Sequence, residues 1–130
     1  MAKSLIKLSL LALTAAAGCS FHARSPEQYR DDTQAVLETR NADIKTCYDN
    51  ALKTKADLNG RVTVHLTVAK ESGQITNVAP VPAGTTAPPE LADCVVKALG
   101  GLVLTPPDNN EGDGTFVYDF TAQPADAPAG

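Results

Sequence analysis

Apolar and polar residues alternate without a break from Arg61 to Val68, which puts Val62, Val64, Leu66 and Val68 on one face of a half-buried strand. Glu71-Ser72-Gly73-Gln74 supplies turn residues, and the run Ile75 to Val81 predicts a second strand that closes a hairpin. Pro82, Gly84, Pro88 and Pro89 oppose regular pairing, so residues 82–88 read as a surface loop. Beyond it the spacing becomes helical. Leu91, Cys94, Val95, Ala98, Leu99 and Leu102 form one apolar stripe, with Pro89-Glu90 at its start and Gly100-Gly101 near its end. A third strand is predicted from Thr115 to Thr121, with Phe116, Tyr118 and Phe120 on one side.

Upstream of the hairpin, Ser25-Pro26-Glu27-Gln28 has the form of a helix start: a capping serine, proline at the first helical position and a glutamine three residues after the cap. Val36 or Leu37, Ile44, Cys47, Tyr48, Ala51 and Leu52 then recur at helical spacing as far as Asn59-Gly60. Asn41 offers a second cap, which leaves open one long helix or two shorter ones. The order helix, strand, strand, helix, strand implies an α+β domain. Its three-stranded antiparallel or mixed sheet would have the order 2-1-3, with both helices on one face. The other face is expected to stay open and to carry Arg61, Thr63, His65, Thr67, Val117 and Asp119.

Only about ten apolar residues separate the basic start, with Lys3 and Lys7, from Ala16-Ala17-Gly18-Cys19. That is too short for a membrane span, but it suits a secretory signal. A cysteine directly after small residues resembles a bacterial lipobox, in which the Cys19 thiol is acylated and the chain is cut before it. An anchor of several acyl chains is stable where one chain holds only marginally. Ser20 in place of aspartate resembles the outer-membrane form of that signal. The expected organisation is a signal at 1–18, a short tether at 19–25, the domain at 26–122 and a Pro/Ala-rich tail without periodicity at 123–130.

The 130 residues leave room for one domain, and an aromatic content of 5% means that a core must be built from Val, Leu, Ile and Ala. The formal charge is -4, and losing Lys3 and Lys7 with the signal would make the mature chain still more acidic. Nucleic acid is therefore excluded as an expected partner. With Cys19 lipidated, Cys47 and Cys94 remain as an even pair in an oxidising compartment, where a disulfide is the expected outcome. There is no C-x-x-C, and two cysteines with His22 and His65 do not compose a zinc site, so neither metal nor cofactor is expected.

Residues 40–122 carry a family pattern. The pieces are Ile44-Lys45-Thr46-Cys47-Tyr48-Asp49-Asn50-Ala51-Leu52, Leu58-Asn59-Gly60-Arg61-Val62-Thr63-Val64, Ser72-Gly73-Gln74-Ile75, Leu91-Ala92-Asp93-Cys94-Val95 and Phe116-Val117-Tyr118-Asp119-Phe120. Together they resemble the AgmX/PglI C-terminal domain of myxobacteria and their relatives, a group similar to the C-terminal domain of the TonB energy transducer. The resemblance implies a TonB-like fold and capture of a short partner segment at a sheet edge. Leu99 to Pro107 departs from the family by lacking its aromatic and basic residues, and no Pro-rich linker or inner-membrane helix precedes the domain. Energy transduction is thus not expected.

Catalytic groups are sparse. His65 is the one histidine inside the predicted fold, on the open face between Thr63 and Thr67, and it reads as inert. Asp108, Glu111 and Asp113 do not complete a calcium loop and read as a solvated turn, while Asp31-Asp32 suits the start of a helix. The chain is expected not to be an enzyme, and no small-molecule substrate is evident. The expected function is a lipid-anchored envelope adaptor. It would bind an envelope protein or peptide by strand addition along Thr115, Phe116, Val117, Tyr118, Asp119 and Phe120. The alternative is a structural lipoprotein subunit of an envelope complex with no peptide capture.

Overall fold

The computed structural model describes residues 23–122. Cys19, His22, the signal and the tail therefore lie outside the described residues. The elements are α1 (Pro26–Glu38), α2 (Asn41–Thr54), β1 (Gly60–Val68), β2 (Ile75–Pro80), a short 3-10 turn at Pro82–Gly84, α3 (Pro89–Ala98) and β3 (Gly112–Phe120).

The α1 start follows the sequence reading. The Ser25 hydroxyl accepts from the Gln28 amide at 3.2 Å, and the Gln28 side chain accepts from the Ser25 amide at 3.1 Å. The helix does break before Asn41, but Arg40 stands at the cap position and no side chain caps α2. The turn is made instead by the Arg40 amide bonding back to the Leu37 carbonyl at 3.0 Å.

The sheet has the order β2-β1-β3, and both pairings are antiparallel. Alternation along β1 buries Val62, Val64, Leu66 and Val68 to 1% exposure or less. The helices cover this face, and Leu37, Ile44, Leu91, Val95 and Leu99 complete the core. Cys47 of α2 and Cys94 of α3 form a disulfide, with Cα atoms 5.8 Å apart. The stretch from Leu99 to Pro107 contributes Leu99, Leu102 and Leu104 to the same core.

One expectation is sharpened and two are corrected. Residues 82–88 are a surface loop without regular pairing, as expected, but one tied to the margin of β1. Thr86 and Ala87 donate backbone bonds to the Arg61 carbonyl, Val81 donates to the Thr63 carbonyl, and Ala87 is buried. In consequence Thr63 is not on an open face: its hydroxyl donates to the Gly84 carbonyl at 2.6 Å, and the residue is 6% exposed. Finally, β3 begins at Gly112, three residues before the predicted Thr115, because Gly112 and Gly114 pair with Val68 and Leu66.

Candidate functional site

Backbone direction makes the outer edge of β3 distinctive. On β1, the Arg61 and Thr63 carbonyls accept from Thr86, Ala87 and Val81, so these odd positions face the β2 side. Their amides do likewise, donating to the Thr86 and Thr85 hydroxyls at 2.9 and 3.2 Å. In an antiparallel ladder bonding alternates, so even positions of β1 face β3. Gly112, Gly114, Phe116 and Tyr118 are their partners. The amides and carbonyls of Asp113, Thr115, Val117 and Asp119 therefore point away from the sheet, and none of them has a backbone partner among the described residues.

Side chains alternate the other way. Asp113, Thr115, Val117 and Asp119 are exposed on the outer face, and Val117 is 52% exposed, whereas Gly112, Gly114, Phe116, Tyr118 and Phe120 are half-buried toward the helices. The edge residues expected from sequence thus form one strand but not one kind of surface. Thr115, Val117 and Asp119 supply free backbone groups; Phe116, Tyr118 and Phe120 supply packing. Phe120 stacks against Tyr48 with ring centroids 5.0 Å apart.

A cleft runs beside this edge, between β3 and α1. Its larger part holds about 640 Å³ and is lined by Tyr29, Arg30 and Thr33 of α1, residues 110–116, and Leu66 and Val68 of β1. A second part of about 340 Å³ continues past Arg30, Gln34 and Glu38 along Thr115 to Tyr118. Burial, with the nearby Glu38 charge, pushes the Tyr118 phenol up to about 12, and burial followed by the Asp108 charge raises that of Tyr29. Both phenols are neutral donors across the physiological range.

The cleft is fixed at one end by a group that sequence reasoning missed. Asp108 is not part of a solvated turn: it is 1% exposed. Its carboxylate accepts from the Arg24 and Asn110 amides, both at 2.8 Å, and lies 3.5 Å from the Arg24 guanidinium. Burial alone would raise its pKa. The two amides and the Arg24 charge outweigh burial and hold it below the ordinary 3.8. Arg24 also donates to Asp32 at 2.7 Å and to the Pro106 carbonyl at 2.7 Å, so Asp32 does more than suit the helix start. The segment expected to be a tether is therefore part of the folded unit from Arg24 onward. Hydrophobic patterning gives no signal for such a contact, because the partners lie 84 residues apart.

His65 lies on the outer face at 46% side-chain exposure, with Nδ1 3.3 Å from the Thr115 hydroxyl and Nε2 3.6 Å from Asp113. Thr67 donates to the same Asp113 oxygen at 2.9 Å. This is an open, water-facing cluster with no enclosed space for a substrate. Glu111 and Asp113 are exposed, and the described residues contain no group of three or more His, Cys, Asp or Glu able to hold a metal ion. Compared with protein-family models, curated proteins and solved structures, the chain matches none.

Proposed function

We propose that this chain is a lipid-anchored adaptor of the cell envelope, most simply at the outer membrane, which captures an extended segment of another envelope protein by strand addition at β3. The observation that carries the reading is the row of outward backbone groups at Asp113, Thr115, Val117 and Asp119, bordered by a cleft. The β2-β1-β3 order and the Cys47–Cys94 bridge support the likeness to the AgmX/PglI and TonB-type domains. With Cys19 as the anchor, only Ser20 to Ala23 separate the lipid from the buried Arg24. Those residues reach at most about 18 Å, so the Arg24 end of the cleft works close to the bilayer.

Photo-crosslinking from Thr115 in intact cells, with the captured segment mapped by mass spectrometry, tests this reading. The expected product is one extended segment, lost in Val117→Pro while the melting temperature holds. Capture that is indifferent to Val117→Pro, together with an envelope complex that fails only in Cys19→Ala, would make the chain a structural subunit instead.

A further inference from the structure

On its helix-facing side β3 presents no side chain at two successive positions, Gly112 and Gly114, which pair with Val68 and Leu66. Two rings lie against the bare backbone in their stead. A Cβ at Gly112 would come within 2.5 Å of the Tyr29 ring, and one at Gly114 within 2.7 Å of the Phe116 ring. Beside these rings the larger part of the cleft reaches down to Leu66 and Val68.

We infer, building on the strand-addition reading, that the captured segment is selected by two bulky apolar side chains at alternate positions, i and i+2, with a basic residue beside them. Gly112 and Gly114 direct their own backbone groups at β1. In an antiparallel added strand, the residues opposite them would form the non-hydrogen-bonded pairs, whose side chains approach most closely and share a face. That face is the cleft. The positions between and beyond, opposite Asp113 and Thr115, would point to water with those two side chains.

Charge decides the flank. Arg24 is already engaged by Asp32 and Asp108. Along the rim Glu111, Asp113 and Glu38 then outnumber Arg30, so an acidic neighbour is disfavoured and a lysine or arginine is favoured.

The test uses the full chain in detergent and short synthetic peptides of alternating threonine, with leucine at i and i+2 and a terminal lysine. Each leucine-to-alanine change is expected to weaken binding about tenfold, and a threonine-to-alanine change between them less than about twofold. Arg30→Glu, on the exposed helix surface, is expected to tighten the lysine peptide about threefold at low salt. Amide exchange at Asp113 and Thr115 separates the possible failures. Protection of those amides with affinity indifferent to the leucines would overturn the alternate-position rule and leave edge capture standing. No protection with any peptide would overturn edge capture itself. A gain in peptide affinity on Phe21→Ala would show that the chain's own leading segment fills the cleft, and would overturn the choice of a foreign segment.

Discussion

The two margins of the sheet are built differently. On the β2 side the chain seals what it exposes. The start of β2 is covered where Ile75 donates to the Leu102 carbonyl and Leu104 donates to Gly73. A bulge with Asn77 at positive φ bends the middle of the strand, and Pro80 ends it. Residues 81–87 then take over the freed margin of β1. On the β3 side nine residues run from Gly112 to Phe120 without a proline, and four of them direct both backbone groups outward. An open margin invites pairing with another chain, and most proteins blunt it. Here one margin is blunted three ways, while the other keeps its backbone groups free beside a cleft, with charge only at Asp113 and Asp119 of its outer face. The strand-addition proposal rests on that difference.

Asp108 should break this contrast most severely. The Asp108→Ala variant leaves the buried Arg24 with the half-exposed Asp32 as its one remaining acidic partner, and removing one partner of a buried pair costs about 3–5 kcal/mol. Because Asp108 and Arg24 join the start of α1 to the entry of β3, amide protection should fall first at residues 112–116 and last at residues 81–87. Acid should act in the same direction. A carboxyl held below its ordinary 3.8 contributes stability that is present above that value and lost as the pH falls through the lowered one. Chemical unfolding followed below pH 4 should show wild type losing stability that Asp108→Asn does not have to lose.

Reducing the Cys47–Cys94 bridge frees a loop of 47 residues and should cost about 4 kcal/mol on the chain-entropy account. Since α2 and α3 both lie over the core face, the two margins should loosen together. Loss confined to one of them would show that the bridge braces that side alone. Smaller again is Gly84→Val, whose Cβ would meet the Thr63 hydroxyl at 2.7 Å. Overpacking of this kind costs about 1–3 kcal/mol. It should lift residues 81–87 from β1, and sedimentation should then detect self-association through a second bare margin.

Some of this was legible in the sequence and some was not, for physical reasons. The period of two over Arg61 to Val68 and the capping box at Ser25 are local signals, and the structure keeps both. The Cys47–Cys94 pairing followed from cysteine parity and compartment. By contrast, Gly112-Asp113-Gly114 reads as a turn because glycine is a poor strand former, and pairing with Leu66 and Val68 overrides that preference. From sequence, strand phase places Thr63 on the open face, and an acidic turn places Asp108 in water. What buries them is a carbonyl 21 residues away and an arginine 84 residues away. The edge strand and the outward side chains of Val117 and Asp119 could be named from sequence, but which residues turn their backbone groups outward could not. That depends on residues 81–87 occupying the opposite side of β1.

The gentlest change separates the two margins most cleanly. Val117 is half-exposed, and its amide points outward, so proline there removes a donor that β1 does not use. The Tyr118 amide faces Val62, and proline at Tyr118 would break the ladder itself, so loss of binding in that variant would say nothing about the edge. Proline is tolerated on an edge strand where its nitrogen faces solvent, so Val117→Pro should cost far less unfolding free energy than Tyr118→Pro. Capture of an extended partner should nevertheless vanish. Val117→Lys is the companion: it retains the amide and sets a charge on the outer face of the strand, a device by which edges avoid edge-to-edge pairing. If strand addition is the mode, the lysine variant should keep residual binding that rises with salt as its repulsion from a basic segment is screened. The proline variant should show none at any ionic strength, because no concentration of salt restores a missing hydrogen-bond donor.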